Sequence, residues 1–168
     1  MPPFKLQPAE ITGIIAFIRA GFDQTASIRV GDPARGKAIF DGKGECATCH
    51  RVNGRGPLVG PDLSSIGLAR TLSALQRSLL DPSAAMLPIN RPVRAVTRSG
   101  EAVRGRRLNE DTFTVQILDS LARLRSFDKR DLKSLDVETT SAMPSYASRL
   151  SSDEIADLLG YLVTLRER

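Results

Sequence analysis

The sequence predicts a mainly α-helical fold with a small antiparallel β segment set into its second half. Three observations carry that expectation. Apolar residues recur at helical spacing near the chain end, at Ile155, Leu158, Leu159, Leu162 and Leu165. Upstream, Asp32-Pro33 carries helix-start chemistry, and Leu72, Leu75 and Leu79 mark one face of a short amphipathic stretch. Residues 93–98 and 102–108 instead alternate, and 112–118 alternate and are β-branched, as half-buried strands are.

The elements follow in chain order. Asp32 is a good N-cap and Pro33 suits the first helical position, so residues 33–40 read as a short helix. Residues 71–80 form a second, with Leu72, Leu75 and Leu79 on one face. Between about 90 and 137 the pattern becomes β. Residues 93–98 and 102–108 flank a Ser99-Gly100 turn, 112–118 is a clear strand, and 123–127 is a weaker fourth. Its V-x-x-R-x-G-x-x-x-x-G pattern is loosely similar to small Sm-like barrels. The final helix opens at Ser151-Ser152 with Asp153 and Glu154 in its first turn, and Arg166 and Arg168 favour its negative end.

The beginning of the chain echoes its end. Leu6, Glu10, Ile11, Ile14, Ile15, Phe17 and Ile18 match Leu150, Glu154, Ile155, Leu158, Leu159, Tyr161 and Leu162 at a constant offset, and Met1-Pro2-Pro3-Phe4 echoes Met143-Pro144-Ser145-Tyr146. Residues 1–30 then read as the tail of an upstream domain of the same kind, with residues 31–168 as the domain proper. A helix packed on this domain, with Met1 merely the initiator, is the other explanation.

Composition removes several classes of function. No apolar run approaches the roughly 20 residues that span a bilayer. The net charge of +5 is modest and Trp is absent, so base stacking and nucleic-acid binding are not expected. There is one histidine, His50, and there are two cysteines, Cys46 and Cys49. All three fall in Cys46-Ala47-Thr48-Cys49-His50. A disulfide framework is unexpected, and a zinc cage lacks its fourth ligand. A redox dithiol would need a βαβ setting, but a Gly-rich loop after a helix precedes Cys46.

What remains is C-x-x-C-H as an attachment site for haem c. Two thiols three positions apart can each form a thioether to a vinyl group, and the adjacent imidazole then lies under the iron. Here the chain resembles the class I c-type cytochromes. Asp32-Pro33-Ala34-Arg35-Gly36-Lys37-Ala38-Ile39-Phe40 is similar to their first helix, and Gly60-Pro61-Asp62-Leu63 to their G-P-x-L turn. The resemblance implies that Gly36 and Phe40 meet Tyr161 where the first and last helices cross. It also implies that the Pro61 carbonyl holds His50, and that Leu63, Leu75 and Leu79 pack beside one haem. Met143-Pro144-Ser145-Tyr146 resembles the M-P-x-[YF] motif that carries the axial methionine. Met86, a lysine or an open iron site are the alternatives to Met143.

Such a domain is expected to pass single electrons between Fe(III) and Fe(II), and to make no bonds itself. The rival is a haem enzyme or gas sensor with a labile or open sixth position. The family matures outside the cytoplasm, in bacteria in the periplasm. Residues 1–5 lead into an amphipathic helix and not an apolar leader, so a piece of a larger exported redox protein, or a chain parted from its leader, is expected. Residues 91–134 hold eleven Lys/Arg against six Asp/Glu, which is the whole net charge. That basic face either steers an acidic redox partner or simply blunts exposed strand edges. The oligomeric state is not legible.

Overall fold

A computed structural model describes residues 5–22 and 28–167. Met1 to Phe4, with their Met-Pro-Pro-Phe echo, Arg168, and the side chains of Phe17 and Ile18 lie outside the described residues. The helices are α1 (Pro8–Phe22), α2 (Pro33–Asp41), α3 (Ile66–Ala69), α4 (Leu72–Leu80) and α5 (Ser152–Thr164). The strands are β1 (Pro92–Thr97), β2 (Ala102–Glu110), β3 (Thr114–Asp119), β4 (Leu124–Asp128) and β5 (Leu132–Val137).

The expectation of a mainly α fold is therefore corrected. A five-stranded antiparallel sheet, in the order β4-β3-β2-β1-β5, stands beside the helices as an element of comparable weight. The missing strand is β5. The sequence hides it because its inward residues, Leu132 and Leu135, are three apart, a helical spacing. A bulge explains this: Val96 pairs with Ser134 and Thr97 with Leu132, so Lys133 is passed over. The four-strand meander ends in a 3-10 turn, Lys129–Asp131, that leads β5 back to the open edge of β1. The sheet's entry and exit consequently adjoin, and the Glu138 N–H donates to the Pro92 carbonyl at 2.8 Å.

Two cores result. Alternate residues of the strands, Val93, Ala95, Val115 and Ile117, are wholly buried in one. The other gathers Phe40, Leu75, Leu79, Tyr146, Leu158 and Leu159 from α2, α4, α5 and the segment before α5. The helix ends follow the local chemistry. The Asp32 carboxylate accepts the Arg35 N–H at 2.8 Å, and Ser151 with Glu154 forms a reciprocal capping box. Past the end of α5, the Arg166 Nε–H donates to the Val163 carbonyl at 2.9 Å.

The crossing of α2 and α5 builds the frame of the site. A Cβ on Gly36 would lie 2.0 Å from the Asp157 carbonyl oxygen, so only glycine permits this approach. The Phe40 and Tyr161 rings meet edge to face with centroids 5.3 Å apart, as the resemblance implied. Arg35 forks onto the buried Asp157 carboxylate at 2.7 and 2.9 Å. The Asp32 N–H donates to that carboxylate too, at 2.7 Å. By contrast, the described apolar side chains of α1, Ile11, Ile14 and Ile15, are exposed.

Candidate haem-attachment site

The site grows from the turn that follows α2. Glu45, in the left-handed region with φ 52°, sharply redirects the chain. Cys46–Thr48 then forms one 3-10 turn, and the His50 N–H donates to the Cys46 carbonyl at 2.9 Å. Both cysteines are free thiols, Cys46 buried and Cys49 exposed. Burial pushes the Cys46 thiol above its usual pKa, against a weaker opposing contact from the Tyr146 hydroxyl.

The segment from Gly60 to Leu63 wraps His50 from both sides. The Gly60 N–H donates to the Cys49 carbonyl at 2.7 Å, and the Leu63 N–H to the Arg51 carbonyl at 2.9 Å. Between them the Pro61 carbonyl lies 2.7 Å from His50 Nδ1. A carbonyl only accepts, so Nδ1 carries the proton and Nε2 keeps its lone pair. Gly60 is required here: its Cβ would stand 2.8 Å from both Cε1 and Nδ1 of the ring. Burial lowers the imidazole pKa, with the Pro61 bond acting the other way, so the ring is held neutral and fit to ligate a metal.

The stretch around Met143 is docked against this turn and against α4. The Tyr146 N–H donates to the Leu79 carbonyl at 2.9 Å, and the Ser145 hydroxyl to the Leu80 carbonyl at 2.6 Å. The buried Tyr146 hydroxyl donates to the Gly44 carbonyl at 2.5 Å and sits 4.0 Å from Cys46 Sγ. Desolvation pushes that phenol well above its usual pKa, so it stays a donor. Leu75, Leu79 and Cys46 share one core, and Leu63 and Met143, both half-buried, pack against it. Met86 is half-buried and belongs to neither core.

These residues fit a covalently held haem: a thiol pair on one turn, a neutral imidazole with Nε2 unengaged, and a glycine cradle beneath it. A helical frame closing on a Cys-x-x-Cys-His turn of this kind defines a haem-attaching electron-transfer protein. The family described as Cytochrome c matches residues 33–113, a little under half of the chain, and the match supports a c-type cytochrome of class I. The match begins at the first residue of α2 and takes in β1 and β2, but ends before Met143 and α5. No curated protein matches the chain. Covalent haem binding and electron transfer follow for the domain as a class. Among the described residues no helix is long and apolar enough to cross a membrane.

One residue near the site was not singled out by its sequence. Arg106 of β2 extends to the loop before Gly60, where its Nη2 donates to the Leu58 carbonyl at 3.1 Å. In the sequence it is one of eleven cations between 91 and 134, with nothing to set it apart.

Proposed function

We propose that the chain is a monohaem electron carrier, with Cys46 and Cys49 as thioether tethers and His50 and Met143 as the two axial ligands. It would serve as a redox module of a larger exported protein, with residues 1–30 as the tail of an upstream cytochrome domain. The seat of His50, bonded to Pro61 and lying on Gly60, is the observation that carries this reading. When bound, haem supplies a one-electron Fe(III)/Fe(II) couple. The protein's part is to keep that couple in a fixed setting. Pro61 fixes the imidazole tautomer and its tilt, and the Tyr146 bonds anchor the chain beside Met143. Leu63, Leu75 and Leu79 exclude water. Two permanent axial ligands would leave no vacant position, and no second histidine exists to act as a distal acid or base.

The basic segment supports an acidic redox partner only in part. Six of its eleven cations are ion-paired, among them Arg107 and Lys129 on Glu110, and Arg125 on Glu101. Arg91, Arg94 and Arg98 carry no ion pair among the described residues and would form the steering face.

The test is the visible spectrum of the haem-loaded protein and of Met143→Ala. Loss of the weak long-wavelength methionine-to-iron band, with conversion to high spin, is the expected result. An unchanged spectrum would remove Met143 from the ligand set. Rapid carbon monoxide binding by the reduced wild type would favour a gas sensor or enzyme instead.

A further inference from the structure

We propose that Arg106 binds a haem propionate, so that the strand segment supplies a counter-charge to the cofactor held by the helical part. The inference rests on the haem reading above and adds a residue that lies outside every motif carrying that reading.

Arg106 stands at the junction of the two parts of the molecule. Its bond to the Leu58 carbonyl is the one hydrogen bond among the described residues that joins strands 92–137 to the helical part. Leu58 lies two residues before Gly60, on the loop that seats His50. The guanidinium is thus brought to the rim of the attachment site by a strand that is rigid on both sides. Gly105 pairs with both Val93 and Asp119, and Arg106 with both Pro92 and Leu118.

The guanidinium is also incomplete there. Arg106 Nε is shielded from solvent and has no acceptor, the one buried side-chain nitrogen or oxygen among the described residues in that condition. It makes no ion pair, although six cations of the same segment do. Arginine cannot shed its proton to relieve the cost. A buried charged donor without a partner is expensive, so the site calls for an anionic acceptor that the protein itself does not provide. A haem tethered at Cys46 and Cys49 and ligated by His50 would carry two carboxylates, one of them set against Arg106. Arginine and carboxylate then form a charge-assisted bond in partly dry surroundings.

The consequences are electrostatic. A cation against the propionate disfavours the extra positive charge of the ferric state and so raises the reduction potential. It also holds the propionate ionised, as an adjacent arginine commonly depresses a carboxyl pKa by about 1–3 units. Three variants separate the possibilities: Arg106→Gln, which removes the charge; Arg106→Lys, which keeps it; and Lys133→Gln, which removes an exposed charge from the same sheet. Each is matured with haem, checked for covalent haem and for wild-type circular dichroism, and titrated for potential from about pH 5 to about pH 9, across the range a raised carboxyl would enter.

Arg106→Gln should have a lower potential than wild type. It should also show a new fall in potential with rising pH, as the freed propionate loses its proton. Arg106→Lys should restore most of the potential, and Lys133→Gln should change neither property. If Arg106→Gln carries haem but its potential and pH profile superimpose on wild type, the proposal is overturned while the haem reading stands. If the wild type itself takes up no covalent haem, the haem reading fails first. Should Arg106→Gln not fold, the reduced wild-type protein decides by nuclear magnetic resonance. A slowly exchanging Arg106 Nε–H with a cross-relaxation peak to propionate methylene protons is expected, and contacts to protein protons alone would refute the assignment.

Discussion

Single side chains in this protein are fixed mostly by backbone atoms. His50 takes its orientation from a carbonyl and a glycine, and Tyr146 from the Gly44 carbonyl. Asp157 is held by the Asp32 N–H and by Arg35. Arg35 foremost, then the Asp32 N–H, depress the Asp157 pKa below its ordinary value. A depressed carboxyl contributes stability above its unfolded pKa, about 3.9, and loses it as the pH falls through the lower folded value. Asp157→Asn should therefore melt at a lower temperature than wild type near neutrality. The gap should close as the pH falls below about 4, which thermal melts across pH would show. Cys46, Cys49 and His50 were legible because rare residues in one pentapeptide admit few chemistries. Arg106 was not, because its distinction is a buried Nε, which depends on where β2 meets the Leu58 loop.

Helices were easier to read than strands, and the reason lies in how each meets its neighbours. Asp32, Thr71 and Ser151 act as N-caps with bonds made inside their own helix, so short-range patterns suffice. β5 depends on the bulge opposite Val96 and Thr97, a property of the pairing and not of residues 132–137 alone. The same holds for the contact of α2 with α5, where Gly36 has a role only because Asp157 is there. Gly36→Ala places a methyl carbon 2.0 Å from the Asp157 carbonyl oxygen, and backbone on both sides must shift. The loss expected is about 1–3 kcal/mol or somewhat more, measured by urea unfolding. Covalent haem should persist in the variant, since the Cys46–His50 turn lies beyond the crossing.

At the scale of the whole molecule, the chain divides its apolar residues between two cores with little hydrogen bonding between them. Damage to one should therefore leave the local chemistry of the other. Ile117 is wholly buried in the sheet, and Ile117→Ala should cost about 2–5 kcal/mol. Strand-specific amide exchange should accelerate in that variant while haem attachment at Cys46 and Cys49 continues. Loss of both together would show that the two cores melt as one. The sequence marked this division as a change of periodicity near residue 90, but it understated the second part by a strand, and the sheet outgrew the label of an insertion in a mainly helical protein.

The adjoining ends of the sheet bear on how such a chain can fold at all. α2 and α5 must find each other across more than a hundred residues, and closing a flexible loop costs entropy that rises with its length. Because Glu138 returns to Pro92, a sheet that forms first reduces its whole span to a link of one hydrogen bond. The helices then close over an effective loop far shorter than the chain between them. A segment of this kind can be lengthened, shortened or replaced with little thermodynamic penalty to the helical frame, provided its two ends still meet.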